Sequence, residues 1–260
     1  MKNFCPGTRL ARFAYGLLAA LLFGSAAGPA LASTYGVASG TDYNGFVQGG
    51  YTAGRTYSEF SSGQTDRGSS LVGSAAYLRF PFALKLDYRQ DQYLTSDNTG
   101  QGYTFTPGLG GFANAAPVFT ARQSTFDGRL ELQLLDPHIY LGAAYLNANN
   151  NYGYPSLHGI GIGLEKLPEF QPAFGIQFSA FYYTDVHGSY TVNAQGAPNF
   201  GGNDVLAYKL LKYDIGLDLP IANSPVYANL GFSGDRYYAK ANAPRGQTHA
   251  GPYIALGVYF

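Results

Sequence analysis

Apolar and polar residues alternate at period two through most of this chain. In 122–135, Phe126, Gly128, Leu130, Leu132 and Leu134 share one parity, and Asp127, Arg129, Glu131 and Gln133 take the other. In 82–94, Phe82, Leu84, Leu86 and Tyr88 alternate in the same way with Lys85, Asp87, Arg89 and Asp91. Such alternation marks β-strands with one apolar face. Read along the whole chain it predicts ten strands, near 43–57, 69–80, 82–94, 122–135, 138–148, 156–167, 173–186, 205–219, 226–238 and 249–260. The connections between them alternate too. Four are short and carry proline (Pro81, Pro137, Pro168 with Pro172, Pro220 with Pro225), which pre-sets a turn and stops strand pairing. The others, roughly 58–68, 95–121, 149–155, 187–204 and 239–248, are longer, polar and rich in Gly, Asn and Ser. The predicted fold class is all-β: a ten-stranded antiparallel barrel, closed and up-and-down.

The chain closes on Tyr253-Ile254-Ala255-Leu256-Gly257-Val258-Tyr259-Phe260, with Ile254, Leu256, Val258 and Phe260 on one face. This run resembles the terminal strand of Gram-negative outer-membrane β-barrels, in which a closing aromatic residue serves as a C-terminal signal to the assembly machinery. Short turns at one end and long loops at the other agree with that porin-like superfamily. The resemblance implies a transmembrane barrel in the bacterial outer membrane. It also implies three partners: outer-membrane lipid, lipopolysaccharide and the assembly machinery. It decides which face points inward as well. A charge on the lipid side costs about 2–4 kcal/mol near the midplane, so the polar rows line the lumen and the apolar rows face out.

The amino-terminal stretch supports the same compartment. Lys2, Arg9 and Arg12 precede an apolar run, Phe13 to Phe23, and Ala30-Leu31-Ala32 forms a small-x-small site. The expected division is a cleaved signal peptide at 1–32 and a barrel at 33–260. The apolar run is short of the roughly 20 residues that a spanning helix needs. Cleavage removes Cys5, the single cysteine, and leaves 13 basic and 16 acidic residues, so a basic nucleic-acid surface is not indicated. Charged residues make up only 12% of the chain and aromatics 16%, a balance suited to a lipid-facing wall around a small polar lumen.

The lumen is expected to hold an ionic network of Lys85, Asp87, Arg89, Asp91, Asp127, Arg129, Glu131, Lys212, Asp214 and Asp218. Charge also predicts the alignment of 82–94 against 122–135. Setting Lys85 across from Glu131, Asp87 across from Arg129 and Arg89 across from Asp127 makes every facing pair attractive, whereas slipping by two in either direction opposes like charges. In 156–167, Gly159, Gly161 and Gly163 face inward and form a thin patch of wall that accommodates bulky lumen groups. Lys209 shares the lipid parity near the loop end, where it can reach lipopolysaccharide phosphates. Girdles of aromatics are expected near both rims: Phe80, Phe82, Phe174, Tyr259 and Phe260 at the turn end, and Tyr57, Tyr93, Tyr182, Tyr237 and Tyr238 at the loop end.

Candidate chemistry is sparse. His138, His158, His187 and His249 form no metal-type spacing with one another or with a cysteine, so neither a metal nor a cofactor is expected. His138, after Pro137 in a tight turn, is expected to be solvated. No nucleophile elbow, P-loop or dinucleotide fingerprint stands in a strand-to-helix context. Asp185 and His187 are two apart at the loop end of 173–186, with Asp185 expected to point inward and the pair to line the mouth. A carboxylate beside an imidazole is what a general base needs. The pair resembles the Asp-x-His half of the omptin surface proteases. That likeness implies a proteolytic or lipid-hydrolysing alternative with Asp185 and His187 as its catalytic residues. Omptins add an Asp-x-Asp half, and here Asp87, Asp91 and Asp97 include no two that are two apart. The expected function is therefore a small outer-membrane barrel with a structural, interaction or narrow-conduit role and a side-chain-filled polar lumen. The sequence does not name an extracellular ligand.

Overall fold

The computed structural model describes residues 43–57, 66–94, 102–105, 113–116, 119–136, 138–170, 174–193, 201–221, 224–243 and 246–260. The expected signal segment, Cys5 and Asp97 lie outside them. Ten strands close a barrel: β1 (Gly45–Tyr57), β2 (Asp66–Arg79), β3 (Phe82–Leu94), β6 (Thr120–Leu135), β7 (Ile139–Asn150), β8 (Leu157–Lys166), β9 (Gly175–Asn193), β10 (Gly201–Pro220), β11 (Val226–Ala239) and β12 (Gln247–Tyr259). Two short strands, β4 (Gly102–Phe105) and β5 (Ala113–Ala116), pair with each other in the long connection between β3 and β6. Every neighbouring pair is antiparallel, and β1 closes on β12. All barrel strands are sequential neighbours, which is the up-and-down order that the alternating connections predict.

The apolar rows face outward. Leu130 is 60% exposed, and Ile254, Leu256 and Val258 are exposed on the same face of the wall, while Arg129 on the opposite parity is 3% exposed. In a chain folded around an apolar core in water the exposures would be reversed. The outer face thus carries a continuous band of Leu, Ile, Phe and Tyr.

The predicted alignment of β3 with β6 is not the one observed. Lys85 faces Arg129 and Asp87 faces Asp127, two residues away from the all-attractive register. The slip keeps the inward and outward rows intact, so burial does not oppose it. At the turn end, the amide of Gln133 donates to the Pro81 carbonyl at 2.8 Å and continues the same register. Direct opposition is the wrong unit for charges in a narrow lumen. Lys and Arg side chains reach along and across the strands, and the like-charged pairs are bridged by shared counter-ions.

A second departure lies in β9. Its register against β8 and against β10 shifts at Thr184–Asp185, an extra residue that makes a β-bulge. The bulge reverses the alternation: Phe181 and Tyr183 are buried below it, and Val186 and Tyr190 are buried above it. Asp185 and His187 therefore stand on the outer face, where the unbulged pattern had put Asp185 inside. The strand also runs seven residues past the expected 186, to Asn193.

Candidate functional site: the lumen ion cluster and the outer rim

At mid-barrel, six ionisable side chains from four strands meet. Arg129 on β6 reaches Asp87 at 2.7 Å, Glu165 at 2.8 Å and Asp127 at 3.0 Å. Lys85 on β3 contacts Glu165 and lies 3.4 Å from Asp87. Lys212 on β10 approaches Asp127 at 3.3 Å from across the lumen. Three cations thus balance three carboxylates. Lys85 and Arg129 share Asp87 and Glu165, so the facing cations are held by anions lying between them. Neutral donors complete the shell: Tyr183 Oη donates to Asp127 at 2.7 Å and Ser74 Oγ to Asp87 at 2.6 Å. The Arg129 guanidinium also lies 4.0 Å over the Phe181 ring. Full pairing is what makes buried charge tolerable in a low-dielectric interior.

Of the expected network, Lys85, Asp87, Asp127, Arg129 and Lys212 converge here. Arg89 and Asp91 form a separate pair at 2.8 Å, with Ser70 donating to Asp91 at 2.5 Å and Arg89 donating to Ser233 at 3.2 Å. Asp214 accepts from Gln177 and Tyr253, each at 3.3 Å, and Asp218 accepts from Asn229 at 2.5 Å. Glu131 is buried but forms no ion pair with Lys85, its expected partner; Glu165 holds that lysine instead. Glu165 is absent from the expected network, although it continues the inward parity of Gly159, Gly161 and Gly163. Those glycines make the room expected of them. A Cβ on Gly161 would stand 2.6 Å from the Tyr183 ring, and one on Gly163 would stand 2.6 Å from Phe181. The thin wall of β8 is where these two rings lie.

Apolar clusters flank the charged layer on both sides. At the turn end, Tyr43, Phe46, Phe170 and Tyr227 are buried together, with Phe170 stacked on Tyr259 at 4.4 Å and Tyr43 Oη donating to the Pro168 carbonyl at 2.7 Å. His138 packs there, 5.4 Å from the Tyr43 ring, so it is not simply solvated. At the loop end, Tyr93, Tyr152, Tyr183, Tyr190, Tyr208 and Tyr237 belong to one buried cluster. Tyr93 and Tyr237 consequently fill the lumen and do not join an outer girdle, whereas Phe80, Phe82, Phe174, Phe260, Tyr182 and Tyr238 are exposed as expected. The side chain of Tyr57 lies outside the described residues. Beside the ion cluster, among Gly49, Gly73, Ser74, Asp87, Lys212 and Asp235, a cavity of about 100 Å³ remains.

The second candidate lies at the outer rim. Asp185 Oδ2 is 2.7 Å from His187 Nδ1, and Lys240 contacts Asp185 Oδ1. The carboxylate–imidazole contact expected from spacing is thus made, but on the outer wall and not at the mouth. Lys209 is exposed on the outward parity of β10.

Neither a family model nor a curated protein matches the chain. Solved structures similar to it include Neisserial surface protein A, at 10% identity over 84% of this chain and 97% of that one, TM-score 0.36. The outer membrane protease OmpT from Escherichia coli aligns over 86% of this chain and 99% of its own, at 11% identity and TM-score 0.44. The N-terminal β-barrel domain of Pseudomonas aeruginosa OprF aligns at 14% identity over 84% and 98%, TM-score 0.30. Likenesses at this level say nothing of activity, which has to be read from this chain's own residues.

Proposed function

We propose that this chain is a small outer-membrane β-barrel of a Gram-negative envelope, with a structural or interaction role and a lumen closed by its own side chains. The carrying observation is the charged layer around Arg129 between two aromatic clusters, with a cavity of about 100 Å³ beside it. A cavity of that size holds a few waters. The outward apolar band supports residence in lipid, and the expected cleavage after Ala32 would deliver residues 33–260 across the inner membrane. Ile254, Leu256, Val258 and Phe260 all face outward on β12 or just beyond it, where assembly machinery can read them. Lys209 supports a contact with lipopolysaccharide phosphate at the loop end.

Planar-bilayer recording of the refolded protein tests this reading. The expected result is no sustained porin-sized step, and such steps would reject the closed lumen. A second reading, a surface protease or lipid hydrolase, is favoured by one observation only, the Asp185–His187 contact. It predicts turnover in a peptide-library or lipid A assay that His187→Ala abolishes. Absence of turnover, or turnover that survives the substitution, removes it.

A further inference from the structure

His158 on β8 and His187 on β9 are register partners, and both stand on the outer face at the loop end. Their ring centroids are 4.7 Å apart with the planes inclined at 57°. Two imidazoles on one ion, with metal–nitrogen bonds of about 2.0–2.1 Å, set their centroids about 4.5 Å apart at a right-angled N–metal–N and about 5.2 Å apart at a tetrahedral one. The observed separation lies next to the right-angle value. Asp185 adds an independent feature. Its Oδ2 stands 2.7 Å from His187 Nδ1, a nitrogen shut off from solvent. With the carboxylate set beside Nδ1, Nε2 is the nitrogen left for a ligand, as in carboxylate–histidine–metal relays. Lys240 holds the other oxygen of the same carboxylate and so steadies the relay.

We propose that His158 and His187 bind one divalent transition-metal ion in cis positions of a tetragonal site, with Asp185 orienting His187 and water filling the remaining positions. Cu²⁺ is the preferred ion, because imidazole nitrogen and tetragonal geometry both suit it and it heads the affinity order of divalent first-row metals. Among the described residues no three His, Cys, Asp or Glu side chains converge on a metal position. The protein therefore supplies two ligands, and the ion is exchangeable, held at the cell surface and not locked into the fold. The two histidines are 29 residues apart in sequence, a spacing that carries no metal signature; strand pairing alone brings them together.

The test uses the untagged protein refolded in detergent, titrated with CuCl₂ by calorimetry and followed by electron paramagnetic resonance. The expected result is one bound ion per chain with coupling to two imidazole nitrogens. His158→Ala and His187→Ala should each abolish the two-nitrogen signal, and Asp185→Asn should weaken binding about 10- to 100-fold, the usual cost of losing an outer-shell partner. Heat-modifiable gel mobility confirms that each variant is folded, with His158→Gln standing in if the alanine variant is not. A two-nitrogen signal that survives the loss of His158, or a wild-type protein that takes up Cu²⁺ without that signal, overturns the assignment.

Discussion

Replacing Arg129 with methionine perturbs the lumen at its most connected point. The guanidinium contacts Asp87, Asp127 and Glu165 between 2.7 and 3.0 Å, and its side chain is 2% exposed. Without it, Lys85 and Lys212 face three carboxylates, so one buried negative charge loses its counter-ion. Removing one partner of a buried ion pair costs about 3–5 kcal/mol, because the group left behind stays desolvated. The adjoining cavity and the partial exposure of Asp87 let water reach that carboxylate and pull the cost toward the lower end, about 3 kcal/mol. Arg129→Lys keeps the charge but lacks the planar fork that serves three carboxylates, so it should cost at least about 1 kcal/mol. Urea unfolding in lipid vesicles, read by heat-modifiable mobility, measures both. If Arg129→Met leaves the unfolding midpoint unchanged while the barrel still forms, the cluster is not a supporting element and the reasoning fails.

Two further perturbations test the wall. Leu130→Arg places a charge on the outward face at mid-strand and should destabilise the vesicle-embedded barrel by about 2–4 kcal/mol; an unchanged unfolding midpoint would mean that this face does not meet lipid. Gly161→Val drives a Cβ into the Tyr183 ring, whose hydroxyl serves Asp127, and should cost about 1–3 kcal/mol by overpacking, seen as a lower urea midpoint; a neutral result would show that β8 has no need to be thin.

Period-two alternation is enough to locate ten strands and to say which rows carry charge, because the side chains of one strand must alternate whatever its neighbours are. Proline-bearing turns are legible for the same local reason. The inward parity of Glu165 can be read too, although its role cannot, since that depends on Lys85 and Arg129 arriving from other strands. The alignment of β3 with β6 cannot be settled by facing charges, because long cationic side chains find counter-ions two strands away or across the lumen.

Short-range periodicity in the sequence carries the class of fold, the ten barrel strands and the division into apolar and ionised rows, but not the β4–β5 pair in the long connection. The β3–β6 register, the outward turn of Asp185 and His187 at the β9 bulge, and the meeting of His158 with His187 emerge only in the folded barrel. Each of these depends on barrel closure, which brings together residues far apart in sequence, or on one extra residue in a strand. Neither leaves a trace in local pattern.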